Sequence, residues 1–62
     1  MYTITDFKVE QRVELHPSTD LWMRGARFGT VIKVGTKRVH VKLDRTGGVV
    51  HLLPERIHEI NP

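Results

Sequence analysis

Sixty-two residues with no cysteine, 39% hydrophobic and 27% charged, make one small globular domain that neither disulfides nor cysteine-bound zinc can staple. No apolar run approaches the ~20 residues of a membrane span, and no signal-peptide pattern opens the chain, so a soluble, cytoplasmic protein without membrane contact is expected. The net charge of +3 leaves the class of partner open until its distribution along the chain is read.

Residues 1–6, "MYTITD", read as an N-terminal extension that either adds an edge strand or frays, ahead of a single domain over 7–62. In "RVELH" (12–16), Val13 and Leu15 point one way and Arg12, Glu14 and His16 the other, the period of a half-buried strand. "HPSTDLWMRG" (16–25) is the longest connection. "FGTVIKV" (28–34) is β-branched but less cleanly alternating, as in a long strand that bends. "GTK" (35–37) then reads as a tight hairpin, with Gly35 available for a positive φ. "RVHVKLD" (38–44) alternates cleanly: Val39, Val41 and Leu43 inward, Arg38, His40, Lys42 and Asp44 outward. The paired glycines of "RTGG" (45–48) suit a second turn or bulge before the apolar strand "VVHLL" (49–53). "LPER" (53–56) resembles one turn of 3₁₀ helix entered at Pro54, and "IHEI" (57–60) closes the chain as a short strand.

No segment carries a sustained 3.6-residue apolar stripe, so no long helix is expected. The fold class is therefore all-β: a small antiparallel barrel of about five strands with one short 3₁₀ turn before the last. Its expected inward set is Val13, Leu15, Val31, Val39, Val41, Leu43, Val50, Leu52, Ile57 and Ile60.

Charge is concentrated in the middle of the chain. Between Arg24 and Arg45 seven cations face one anion, Asp44, for a net +6, whereas the first 23 residues carry −2 and the last 17 carry −1. Such asymmetry is expected of a surface that meets a polyanion, and equally of solvated strand faces that resist edge pairing. The candidate nucleic-acid contacts are Arg24, Arg27, Lys33, Lys37, Arg38, His40, Lys42 and Arg45. Within that set, alternation puts Arg38, His40 and Lys42 on one outward face beside Lys33 and Lys37, a ladder for phosphates that reads no sequence. Trp22, Phe28 and His51 form a candidate partner groove. An aromatic in the long loop beside arginines stacks on a base. Alternatively, Trp22 folds back as a lid on the core, which suits an indole whose N–H finds a partner.

Gly25, Gly29 and Gly35 raise the question of a phosphate-cradling loop. Such a loop needs a following helix and a "GK[ST]" ending; here "TVIKV" follows, a strand sequence. Structural roles fit better: Gly25 ends a loop, Gly29 permits a bend or close backbone approach, and Gly35 makes a hairpin. From about residue 7 to 60, the stretch "FxVxQRVELHPS…W…GTVIKV…RVHVKLD…GGVVHLLPERIHEI" looks like the small barrels of the Src-homology-3-like class. "GxxxGTVxxV" at 25–34 is similar to the glycine-hydrophobic core of the KOW motif, although Glu10 stands where a strand-entry glycine is usual. KOW domains occur in ribosomal proteins and transcription elongation factors, and related Tudor-like barrels bind nucleic acid or peptides. "VELHPSTDLW…FGTVIKV" resembles the barrel-shaped accessory subunit of photosystem I. "GGVVHLLPERIHEIN" resembles the C-terminal part of type II dihydrofolate reductase, whose "VQIY" strand lines the pore of a homotetramer. Here Val50, His51, Leu52 and Leu53 hold that strand, with histidine for glutamine and leucine for tyrosine.

Catalytic material is sparse. His16, His40, His51 and His58 lie on four elements without metal-ligand spacing, so no metal or other cofactor is expected. Asp44, Glu55 and Glu59 are expected in surface ion pairs with Arg45 or Arg56. One serine, Ser18, and no cysteine leave little for nucleophilic catalysis, and the protein is expected not to be an enzyme. The expected function is a nonenzymatic barrel that binds the DNA or RNA backbone. The alternative is a protein-interaction module or accessory subunit, with a homo-oligomeric, reductase-like pore as the outlier.

Overall fold

In the computed structural model, which describes residues 2–61, the expected runs become five strands. These are β1 (Arg12–Leu15), β2 (Phe28–Val34), β3 (Val39–Leu43), β4 (Val49–Leu52) and β5 (Ile57–Asn61). All neighbours are antiparallel, in the order β4-β3-β2-β1-β5. Among the described residues no ladder joins β4 to β5, so the sheet is not closed by hydrogen bonds as a complete barrel would be. The 3₁₀ turn Pro54–Arg56 lies directly before β5, as Pro54 foretells.

Register follows the apolar alternation. Val13 faces Gly29 and Ile60, Val31 faces Val41, Val41 faces Val50, and Val39 faces Val34 and Leu52. Val13, Leu15, Val31, Val39, Val41, Leu43 and Ile57 are buried as expected; Val50, Leu52 and Ile60 pack half-buried at the rim. Full burial of one such aliphatic side chain is worth about 1.5–3 kcal/mol relative to exposure. Phe7 and Ala26, outside every strand, complete the core.

β2 bends where its alternation falters. The register slips between Val31 and Lys33, leaving Ile32 unpaired and 42% exposed while Val34 returns to the core side. Gly29 pairs with Val13 of β1 on one side and Leu43 of β3 on the other. A Cβ there would stand 2.8 Å from the Lys42 carbonyl oxygen and would overlap Val41 Cγ1. The expected close approach of backbones is realised.

Two expectations are corrected, at Gly35 and at residues 4–6, and the long connection gains a detail. The hairpin at 35–38 closes through the Gly35 N–H donating to the Arg38 carbonyl at 2.9 Å, and Gly35 does not adopt a positive φ. Among the described residues the left-handed glycines are Gly25 (φ 90°) and Gly47 (φ 73°), and the non-glycine in that region is Glu10 (φ 76°). The long connection contains a helical turn, α1 (Asp20–Met23), capped by Thr19, whose hydroxyl accepts from the Trp22 N–H at 3.2 Å. Finally, Ile4–Asp6 forms a 3₁₀ turn rather than an edge strand; Tyr2 and Ile4 lean on the core, and the Tyr2 hydroxyl accepts from the Ile60 N–H at 3.2 Å.

Candidate functional site

The outer face of the sheet is assembled by cross-strand register. One row runs Lys33–His40–His51 across β2, β3 and β4; the next runs Thr30–Lys42–Val49. Arg38 enters β3 on the same side by alternation, and Lys37 is exposed in the adjoining hairpin. Lys33, Lys37, Arg38, His40, Lys42 and His51 are thus brought onto the β2–β3 hairpin and its β4 neighbour. Arg24, Arg27 and Arg45 lie elsewhere, on the loops after α1 and after β3. The expected contact set is therefore two groups.

His40 and His51, directly opposed, stack with ring centroids 3.9 Å apart and planes 24° apart. Partial burial holds the His40 imidazole below its ordinary value, and the nearby charges of His51 and Lys33 push the same way. His16 and His58 form a second pair, edge to face at 5.7 Å, with His16 Nδ1 accepting from the Ser18 N–H at 3.0 Å. Sequence spacing along one chain hides both pairs. The His40–His51 register was recoverable, because any hairpin centred between Arg45 and Thr46 opposes those two residues. Among the described residues, no three His, Cys, Asp or Glu side chains gather to hold a metal ion.

Asp44 does not pair with Arg45. Its carboxylate accepts both ends of the Arg12 guanidinium, one bond at 2.7 Å, and Arg12 also donates to Thr30 Oγ1 at 3.0 Å. The bond to Arg12 holds Asp44 below the usual carboxylate range and raises Arg12 in turn. Glu55 and Glu59 likewise make no ion pair with Arg56 among the described residues. The consequence for the face is direct. The single anion of residues 24–45 is neutralised from β1, and none of the seven cations of that segment has a carboxylate partner among the described residues.

Trp22 packs half-buried against the core, as a lid, with the Arg27 guanidinium 4.0 Å above its ring. Its indole N–H is buried without a hydrogen-bond partner among the described residues, so the partner expected of a buried tryptophan is missing. Trp22, Phe28 and His51 do not line one groove. Phe28 is 44% exposed and lines a depression of about 290 Å³ with Gly25, Arg27, Asp44 and Arg45. His51 belongs to the histidine stack on β4. A larger depression of about 530 Å³ runs between α1 and β4, lined by Thr19, Leu21, Arg24, Leu52 and Arg56 among others.

No helix among the described residues is long and apolar enough to cross a membrane. Compared with protein-family models, curated proteins and solved structures, the chain matches none.

Proposed function

We propose that this protein is a nonenzymatic, cytoplasmic nucleic-acid-binding module that holds phosphates on the outer face of β2, β3 and β4 without reading sequence. The observation that carries this reading is the unbalanced segment 24–45, whose one anion is held by Arg12 while none of its lysines or arginines has a carboxylate partner among the described residues. A face tuned only for solubility intersperses both signs; a phosphate-binding face keeps its cations free. The order β4-β3-β2-β1-β5 and the glycine-hydrophobic element from Gly25 to Val34 support a kinship with Src-homology-3-like and KOW-like barrels as part of the same proposal.

The test is binding of mixed-sequence DNA and RNA oligonucleotides, followed by fluorescence anisotropy as salt is raised. Log affinity should fall linearly with log salt, by about 0.9 for each phosphate engaged on a duplex. Absence of binding at micromolar protein, or affinity indifferent to salt, refutes the proposal. The depression between α1 and β4 favours a second reading, a protein partner seated on Leu21 and Leu52. A nuclease-resistant partner captured at fixed stoichiometry, together with failure of the salt test, would select that reading.

A further inference from the structure

The depression beside the phosphate-binding face has features that phosphate binding alone does not need. Its volume, about 290 Å³, lies at the small end of ligand sites, suited to one ring system rather than several. One wall is the exposed ring of Phe28, which neighbours Thr30 on the outer side of β2. Two guanidinium groups reach it from different loops. Arg27 lies 4.0 Å over Trp22, and Arg45 lies across Gly25. A Cβ on Gly25 would stand 2.6 Å from Arg45 Nη1, the movable end of a flexible side chain, and the φ of 90° is what calls for glycine there. The remaining polar wall is Asp44, an acceptor whose charge is compensated by Arg12.

We infer that this depression receives one unpaired nucleotide of a single strand, its base stacked on Phe28 and its phosphate held by Arg27 and Arg45, so that the protein prefers single-stranded to duplex nucleic acid. The inference rests on the nucleic-acid reading above. A base offers a π-face to Phe28 and exocyclic N–H groups to Asp44, and a nucleotide phosphate matches the guanidinium forks. In a duplex the base is stacked on its neighbours and its face is closed to Phe28. The outer-face lysines then serve either form, whereas the pocket serves only the single strand.

The experiment compares a labelled mixed-sequence single-stranded 12-mer, the same sequence as a duplex, and free AMP, against the wild type, Phe28→Ala, Phe28→Trp and Arg27→Gln/Arg45→Gln. The single strand should bind more tightly than the duplex. Phe28→Ala should weaken single-strand binding about tenfold and leave duplex binding unchanged, and Phe28→Trp should restore it. The arginine double variant should cost the single strand more than the duplex. Equal affinity for both forms, or an equal loss on both in Phe28→Ala, overturns the inference while leaving the phosphate reading intact. Failure of the wild type to bind either form at low salt refutes both. Saturable AMP binding as tight as that of the 12-mer would give the pocket to a free nucleotide and overturn its assignment to a strand. A native near-ultraviolet spectrum for each variant separates removal of a binding group from a failure to fold.

Discussion

The outer face of one sheet carries two opposite electrostatic characters. On the β2–β4 side, Lys33, His40 and His51 stand in one row and Lys42 in the next. On the β1–β5 side, Glu14 opposes Glu59. Alternation and pleat are the same in both halves, so the backbone does not impose the difference. The acidic half opposes like charges directly at Glu14 and Glu59, an arrangement that opposes folding, whereas the basic half crowds Lys33 and Lys42 into adjacent rows. The two are stitched by Arg12 of the acidic side reaching over β2 to Asp44 beyond β3. Segregation of sign at some cost in stability is consistent with the charged partner proposed above.

The largest expected effect breaks the basic half. The double substitution Lys33→Glu/Lys42→Glu removes two cations from adjacent rows of the face. At about 0.1 M salt, releasing each phosphate should cost close to tenfold, so affinity for a duplex oligonucleotide should fall about 100-fold. The salt slope should shrink by about 1.8 at the same time. Urea unfolding should show stability unchanged or raised, because cationic repulsion around His40 is relieved. A destabilised variant, or one with an unaltered slope, would show that these lysines are ordinary solvated side chains.

Acidification sharpens the same half, by less. His40 faces His51 from β4 and Lys33 from β2, with Arg38 and Lys42 on its own strand. Its folded-state pKa lies below the ordinary 6.5 of the unfolded chain. Below 6.5 the unfolded chain therefore binds protons that the folded chain does not. The stability contribution is complete above that value and is lost as pH falls through the lowered one. A bound polyanion works in the opposite sense, favouring the charged imidazole. Between pH 7.5 and 5.5 oligonucleotide affinity should rise, by no more than about tenfold per imidazole engaged, while the free protein becomes easier to unfold. His40→Gln should flatten much of both trends, measured by anisotropy and urea titration.

The two halves also differ in how much of them the chain displays to a reader of sequence. Strands and the 3₁₀ turn were legible because period-two apolar alternation and Pro54 are local signals, visible within a few residues. The expected core lacked Phe7 and Ala26 because a lone apolar residue in a loop has no period; only the tertiary fold covers it. Thr19 was readable as a helix cap before Asp20, but the short turn it caps carries no apolar stripe to draw attention. The Arg12–Asp44 pair spans 32 residues and two strand pairings, so it follows only once the full register is known. The candidate cations were legible as a set; their division between a sheet face and the loops was not, because Arg24, Arg27 and Arg45 lie on connections whose course alternation does not predict. Trp22 and Phe28 part company for a related reason: pleat sends Phe28 outward, while α1 turns Trp22 onto the core as a lid.

Backbone strain provides a smaller test on the acidic side. The turn before β3's partner β4 uses Gly47 for its positive φ, whereas the turn entering β1 uses Glu10 at φ 76°. Glu10 occupies the third position of the turn from Lys8 to Gln11, with the Gln11 N–H donating to the Lys8 carbonyl at 3.3 Å. A side chain in the left-handed region costs about 1–2 kcal/mol, and glycine's freedom in the unfolded chain offsets about 0.4–1 of that. Glu10→Gly should therefore stabilise the protein by about 1 kcal/mol in urea, with oligonucleotide affinity unchanged. A loss of stability would mean that the Glu10 side chain makes a compensating interaction worth more than the strain.

The smallest expected effect concerns the like-charge pair itself. Glu14 and Glu59 are directly opposed on β1 and β5, and Arg12, the cation on the same strand face, is engaged with Asp44. Glu59→Lys converts the pair from repulsive to attractive and should raise stability by about 0.5 kcal/mol, read as a higher urea midpoint at constant slope. Glu59→Gln, which removes the repulsion without adding attraction, should give roughly half of that. The same lysine extends positive charge toward the edge of the sheet opposite β4. If phosphates track only the β2–β4 side, oligonucleotide affinity and salt slope should not respond to Glu59→Lys. If both rise, the nucleic acid crosses the whole sheet, and the acidic side limits binding rather than lying outside it.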